Sequence, residues 1–181
     1  AFAVASGQQS IAVALWNLVH SGQHIVSAAA LYGGTITLLG QTFKRLGIDV
    51  SFVDATDPRK IAEAIRPTTR AVYIESLANP KNDVLDYRTI AEVAHERGLP
   101  LVCDNTVLTP ILFRPFEQGI DIAIRYFYHR LGSAQAFLGG TFLESSLGRP
   151  NLIELGPPMR SKVTGPLGRV PQSAAPLPDS K

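Results

Sequence analysis

Leu101-Val102-Cys103-Asp104-Asn105-Thr106 is an apolar run that ends abruptly in a carboxylate, an amide and a hydroxyl. A short run of this kind reads as a buried strand. In a sheet whose strands are joined by helices, ligands bind beyond the carboxyl ends of the strands, and Asp104 stands at such an end. One strand earlier, Ala71-Val72-Tyr73-Ile74-Glu75 runs into Ser76-Leu77-Ala78-Asn79-Pro80, which brings Asn79 to the same rim. Near the start of the chain, Ser6-Gly7-Gln8-Gln9-Ser10 opens a helix. The rest of the chain reads as a scaffold that joins these three places.

Outward from these stretches, helical and strand patterns alternate. Ile11, Leu15, Leu18 and Val19 share one face of a helix over 8–20, ended by Ser21-Gly22. Ile25-Val26 is a short strand, and Leu31-Tyr32-Gly33-Gly34-Thr35 turns into a second helix reaching Leu46-Gly47. A strand over 48–54 is followed by Asp57-Pro58, an N-cap with Pro at the first helical position. Asp86 caps a helix ending at Gly98. Further strands are expected over 120–124 and 137–144. The class is α/β, with a mostly parallel sheet and flanking helices.

The domain is expected over 1–144. From about Ser145 six of the thirteen prolines fall between Pro157 and Pro178, apolar periodicity is lost, and 145–181 reads as a poorly ordered tail. The chain has 181 residues, 45% hydrophobic and 18% charged, enough for one ordinary domain. A net charge of +2 gives no argument for nucleic acid or a membrane surface. No run of about 18 apolar residues predicts a spanning helix. The lone Cys103 allows no internal disulfide and favours a reducing, cytoplasmic setting.

The residues that could carry chemistry each admit two readings. Ser6-Gly7-Gln8 is either a plain helix cap or an anion site, where first-turn amides and the helix dipole favour phosphate. Asp104 either bonds nearby amides or pairs with a protonated ring nitrogen, as pyridoxal phosphate requires to act as an electron sink. Asn79-Pro80 is a turn or places an amide on that cofactor's phenolic oxygen. Tyr32 is a packed aromatic or a ring stacked on the cofactor. Cys103 reads as a buried strand residue, and Glu75 as a structural hydrogen-bonding group. His20, His24 and His95 read as surface or capping residues, with no metal-ligand spacing among them.

The order of these motifs resembles the Cys/Met-metabolism family of pyridoxal-phosphate enzymes of fold type I. The resemblance covers about residues 1–144 through Ala5-Ser6-Gly7, Leu31-Tyr32-Gly33-Gly34-Thr35, Glu75-Ser76, Asn79-Pro80 and Asp104-Asn105-Thr106, extended by Thr109-Pro110, Arg114-Pro115 and Gly119-Ile120-Asp121-Ile122. The wording from Glu75 to Pro80 is most similar to the O-acetylhomoserine sulfhydrylase branch. The resemblance implies the large cofactor-binding domain of that fold and replacement of the γ-substituent of an activated homoserine by a sulfur nucleophile. It implies an amino-acid substrate and a homo-oligomeric assembly. It also implies that Ser6, Gly7 and Gln8 face the cofactor phosphate, Tyr32 stacks on the pyridine ring, Asn79 meets the phenolic oxygen, Asp104 pairs with the ring nitrogen and Thr106 lies beside it.

One departure bears on mechanism. The family pattern His-Ser-x-Thr-Lys-Tyr-x-Gly-Gly aligns without a gap on Arg125-Tyr126-Phe127-Tyr128-His129-Arg130-Leu131-Gly132-Ser133. His129 therefore stands at the Schiff-base lysine, with Tyr126 and Tyr128 at the two hydroxyl positions. An imidazole cannot make the imine that a primary amine makes, so covalent cofactor linkage is not expected, and two tyrosines would crowd the phosphate cup. The N-terminal arm and C-terminal domain that the resemblance implies find no match in the 181 residues, which suggests a truncated or frame-disturbed product. Three expectations stand: an inactive family member, a non-catalytic cofactor-binding or oligomer-partner module, or a product without function. A Rossmann dehydrogenase is disfavoured, since Ser6-Gly7-Gln8 lacks the Gly-x-Gly-x-x-Gly fingerprint.

Overall fold

In chain order the elements are β1 (Phe2–Val4), α1 (Gly7–Trp16), β2 (His24–Ala28), α2 (Gly33–Thr37), β3 (Asp49–Val53), α3 (Pro58–Ala64), β4 (Thr69–Glu75), α4 (Tyr87–Glu96), β5 (Leu101–Asp104), α5 (Thr109–Leu112), β6 (Ile122–Arg125) and β7 (Asn151–Leu155). They come from a computed structural model that describes residues 2–78, 80–126 and 151–155. Among the described residues seven strands form one sheet, in the order β1-β7-β6-β5-β4-β2-β3. The five strands β2 to β6 run parallel. β7 is antiparallel to both β6 and β1. After β3 the chain passes back over β2 to reach β4, so the strand order reverses between β2 and β4. Crevices at such reversals are where open α/β sheets bind ligands.

Burial explains the centre of the sheet. Ala71, Val72, Tyr73 and Ile74 of β4 and Leu101, Val102 and Cys103 of β5 are all 0% exposed, as expected of parallel strands covered on both faces. α4 lays Ile90, Ala91 and Ala94 into the core, and α1 contributes Ile11 and Leu15. The local start signals act as the sequence suggests. Ser6 caps α1 by accepting from the Gln9 amide at 3.1 Å. Asp57 accepts from the Arg59 amide, with Pro58 opening α3. Asp86 accepts from the Thr89 amide at the head of α4. Gly119 closes the turn before β6 at φ 87, a conformation that costs a residue with a Cβ.

Several expectations are corrected. The first helix stops at Trp16 rather than His20, with Asn17 as its C-cap, whose side chain donates to the Val13 carbonyl at 2.7 Å in place of a continuing turn. The second helix leaves α geometry after Thr37 and continues in wide π-type turns over Leu38–Phe43, with Leu39 and Phe43 in the core. Trp16 stacks on Phe43 there, ring centroids 5.8 Å apart. Asn151–Leu155 lies in the stretch read as tail, yet it is seated between β1 and β6. The strand expected over 137–144 and the rest of the tail lie outside the described residues. No helix among the described residues is long and apolar enough to cross a membrane.

His24 is the clearest correction. It is neither a surface nor a capping residue but is 1% exposed at the start of β2. Its Nδ1 lies 2.8 Å from the Thr69 hydroxyl of β4 and its Nε2 2.9 Å from the Ser51 hydroxyl of β3. Two neighbouring hydroxyls thus satisfy a ring that burial would otherwise penalise. Burial, then the Arg66 charge, hold its pKa below 6.5, with Asp49 opposing. The folded chain keeps the ring neutral, while the unfolded chain protonates it as pH falls below 6.5. The stability tied to a neutral His24 is therefore present above that pH and lost below it. Urea unfolding should show His24→Ala destabilised by about 2–4 kcal/mol near neutrality. The variant should lose less stability than the parent between about pH 7 and about pH 5.

Candidate functional site

The rim at the carboxyl ends of β4, β5 and β6 is built from the Asp104-Asn105-Thr106 turn. Asn105 points inward and is 0% exposed. Its amide donates to the Ile124 carbonyl at 2.8 Å and its Nδ2 to the Phe113 carbonyl at 3.1 Å. That anchor leaves its two neighbours at the rim. Asp104 Oδ1 accepts from the Thr106 amide at 2.9 Å and from the Thr106 hydroxyl. The Thr106 hydroxyl in turn accepts from the Tyr126 amide at 3.0 Å. One carboxylate, one hydroxyl and one amide therefore tie the end of β5 to the end of β6.

Asp104 carries an unmet electrostatic demand. Burial raises its carboxyl above the ordinary range, opposed by the two bonds from Thr106. No cation forms an ion pair with it among the described residues. A protonated ring nitrogen is the kind of partner that would restore its charge.

Glu75 stands directly beside Asp104 in the β4–β5 register. Its two carboxyl oxygens receive the Tyr32 amide at 3.0 and 3.1 Å. That bond fixes Tyr32 at the head of α2, where its ring is 56% exposed. Burial pushes the Glu75 carboxyl up to about 7; the Tyr32 amide opposes the rise and the Asp104 charge adds to it. The structural hydrogen-bonding role read from the sequence is what Glu75 performs, and its partner is a site residue.

The head of α1 closes the rim on the other side. A Cβ on Gly34 would lie 2.6 Å from Gln8 Nε2 and 2.7 Å from Tyr32 Cε1, so only glycine lets these two side chains converge. A Cβ on Gly7 would lie 3.1 Å from Tyr126 Cδ2 and 3.3 Å from its Cβ and Cγ. Tyr126 thus rests on the first residue of α1. The structure brings Ser6, Gly7, Gln8, Tyr32, Asp104 and Thr106 together through this chain of contacts. Asn79 and His129 lie outside the described residues. Sequence reasoning placed Tyr126 by alignment but not its seat against Gly7. The pairing of Glu75 with Tyr32 joins residues 43 apart and leaves no local signal. Among the described residues no group of three or more His, Cys, Asp or Glu could hold a metal ion. Cys103 is buried in β5, where desolvation raises its thiol pKa, and such a thiol is a poor nucleophile.

The chain is similar to known proteins over most of its length. The family model described as Cys/Met metabolism PLP-dependent enzyme matches residues 1–148. The O-acetyl-L-homoserine sulfhydrylase of Leptospira meyeri is 45% identical over 144 residues, covering 80% of this chain and 33% of that protein. The L-methionine gamma-lyase of Treponema denticola is 35% identical over 137 residues, covering 75% of this chain and 32% of that protein. The solved O-acetylhomoserine sulfhydrylase of Wolinella succinogenes superposes with a TM-score of 0.67 at 33% identity, covering 68% of this chain and 36% of that one. A solved O-acetylhomoserine (thiol)-lyase from Campylobacter jejuni, which carries a pyridoxyl-lysine phosphate, gives a TM-score of 0.66 at 37% identity, covering 67% of this chain and 30% of that one. The chain spans about a third of the length of the curated relatives it matches.

The described residues fit the ring end of pyridoxal phosphate: Asp104 lacks a cation and Tyr32 offers a ring face. Their fit to the phosphate end is poorer, because the Tyr126 side chain packs beside Gly7, where a built Cβ would lie 3.1 Å from Tyr126 Cδ2.

Glu75 makes a second pH prediction, of opposite sign to that of His24. The folded carboxyl titrates near 7 and the unfolded one near 4.5. The folded state therefore holds a proton that the unfolded state has lost, and stability falls as pH rises through this window. Glu75→Gln cannot titrate, so its unfolding free energy should lack that fall, which amounts to about 3 kcal/mol across the window. Denaturant melts of parent and variant at matched pH values measure the difference.

Proposed function

Because the chain belongs to the Cys/Met-metabolism family of pyridoxal-phosphate-dependent enzymes, we propose that it is a member without turnover, one that holds the pyridine end of a pyridoxal-type ligand non-covalently. The observation that carries this reading is Asp104, a carboxyl at a strand end whose pKa is raised by burial and which no described cation neutralises. Within the site Asp104 would bind a protonated ring nitrogen and Thr106 would orient Asp104. Tyr32, held by Glu75, would cover a ring face and exclude water, and Asn79 would meet the phenolic oxygen. The bound group, when present, supplies an electron sink.

The lineage reaction we assign is exchange of the γ-substituent of an activated homoserine for a sulfur nucleophile; the relatives named sulfhydrylase and homocysteine synthase support it. In this chain His129 stands where that chemistry places a lysine, and an imidazole lacks the primary amine that an imine requires. Of the described lysines, Lys60 lies on α3 paired with Asp54 at 3.0 Å. On this reading residues 1–144 form the cofactor-type domain, with Asn151–Leu155 added to its sheet, and a single buried thiol suits a cytoplasmic setting. A second reading, a partner subunit in an assembly, is favoured by Val107, Ile111 and Leu112, exposed at 53%, 90% and 75%.

Incubation with pyridoxal phosphate, borohydride reduction and mass mapping tests the first reading. No single lysine should be labelled, and O-acetylhomoserine with sulfide should give no product. Pyridoxine, which has no aldehyde, should bind saturably, and Asp104→Asn should weaken that binding about tenfold, the worth of one charge-assisted hydrogen bond. A specific lysine label accompanied by turnover would overturn the reading.

A further inference from the structure

The family's cofactor is a phosphate ester, and of the stretch where this chain departs from the family pattern, Arg125 and Tyr126 are among the described residues. An anion site at the head of a helix needs its first-turn amides open to the ligand. A Cβ built on Gly7 would lie 3.1 Å from Tyr126 Cδ2 and 3.3 Å from its Cβ and Cγ, so the Tyr126 side chain packs beside the first residue of α1. Cβ and Cγ lie at the root of the side chain, so rotation about the Cβ–Cγ bond leaves both in place. The backbone behind them is fixed, since the Tyr126 amide donates to the Thr106 hydroxyl, which is itself bonded to Asp104. The Gln8 amide and the Tyr32 ring converge over Gly34 on the other side.

Resting on the reading that this rim is the cofactor site, we propose that Tyr126 takes the place of the phosphate at the head of α1, so that the site selects a pyridine ligand without phosphate over its phosphate ester. Three physical effects act together. The ring root excludes the volume a phosphate needs beside Gly7. The apolar ring offers a phosphate no hydrogen bond in exchange for the water it loses. A dianion also loses far more hydration than a neutral hydroxyl does on entering a packed opening. A ligand with only hydroxyl and hydroxymethyl groups avoids all three, while keeping Asp104 for its ring nitrogen and Tyr32 for its face. Burial, then the nearby Tyr32, raise the Tyr126 phenol above its usual range, which keeps it neutral.

The test uses the full chain and two aldehyde-free probes, pyridoxine and pyridoxine 5′-phosphate, which cannot form imines with surface lysines. Titration calorimetry should show the parent binding pyridoxine at least as tightly as the phosphate ester. Tyr126→Ser should gain tenfold or more for the ester with little change for pyridoxine, and inorganic phosphate should then compete with the ester. Tyr126→Phe keeps the ring and should behave as the parent. If Tyr126→Ser fails to fold, the preference of the parent and of Tyr126→Phe still decides. A tenfold preference for the ester in the parent, unchanged in Tyr126→Ser, would overturn the role of Tyr126 and leave the rim as a cofactor site. Binding of neither probe to any of the proteins would overturn the cofactor-site reading and this inference with it.

Discussion

The burial of β4 governs the rim. β4 lies between β2 and β5, and its residues from Ala71 to Glu75 are removed from water. A carboxyl at the end of such a strand cannot turn to solvent, so it must find donors and keep its proton to higher pH. Glu75 does both, taking the Tyr32 amide on its two oxygens and titrating near neutrality. Because the strand order reverses between β2 and β4, the loop leaving β2 and the end of β5 both arrive beside Glu75. The exposed ring of Tyr32 is thus placed by one buried side chain that need not touch a ligand, next to the Asp104 carboxyl that Thr106 holds.

The parts of this arrangement that were legible in the sequence are those written locally. Asp57-Pro58 and Asp86 announce helices because a cap acts within three residues. The buried strands at Ala71 and Leu101 show as uninterrupted apolar runs. The rim residues Ser6, Gly7, Gln8, Tyr32, Asp104 and Thr106 were legible by their order, which a family resemblance turns into spatial neighbours. What was not legible depends on contacts between distant residues. His24 looks polar in sequence and is buried because hydroxyls from Ser51 and Thr69 meet both ring nitrogens. β7 is set among prolines and glycines, and it becomes a strand because β1 and β6 supply unpaired edges on either side.

The two pH-dependent groups show how stability is distributed in such a sheet. His24 sits at the amino ends of the strands and is held neutral, while Glu75 sits at the carboxyl ends and keeps its proton up to about pH 7. Acidification weakens the fold through the first and strengthens it through the second over overlapping ranges. The parent chain therefore displays only the difference, and each contribution is visible only when the other group is replaced.

Folding and cofactor anchorage make different demands on the head of α1. Folding asks that the surface of Gly7 be covered, and an aromatic ring root at van der Waals distance does that well. Anchorage asks that the same surface stay open, polar and able to lose its water to an anion. A helix end without its anion forgoes about 0.3–1 kcal/mol of dipole stabilisation. Burying part of an aromatic side chain contributes about 1–2 kcal/mol in the other direction. Replacing a small hydroxyl residue by Tyr126 is therefore neutral or favourable for the fold even though it removes the anion site. The same holds for the sheet as a whole: Asn105 bonds Phe113, Glu75 bonds Tyr32 and His24 bonds Thr69, none of which requires a ligand. The architecture of a cofactor domain can persist in this chain because the contacts that hold its core are not the contacts that hold a phosphate.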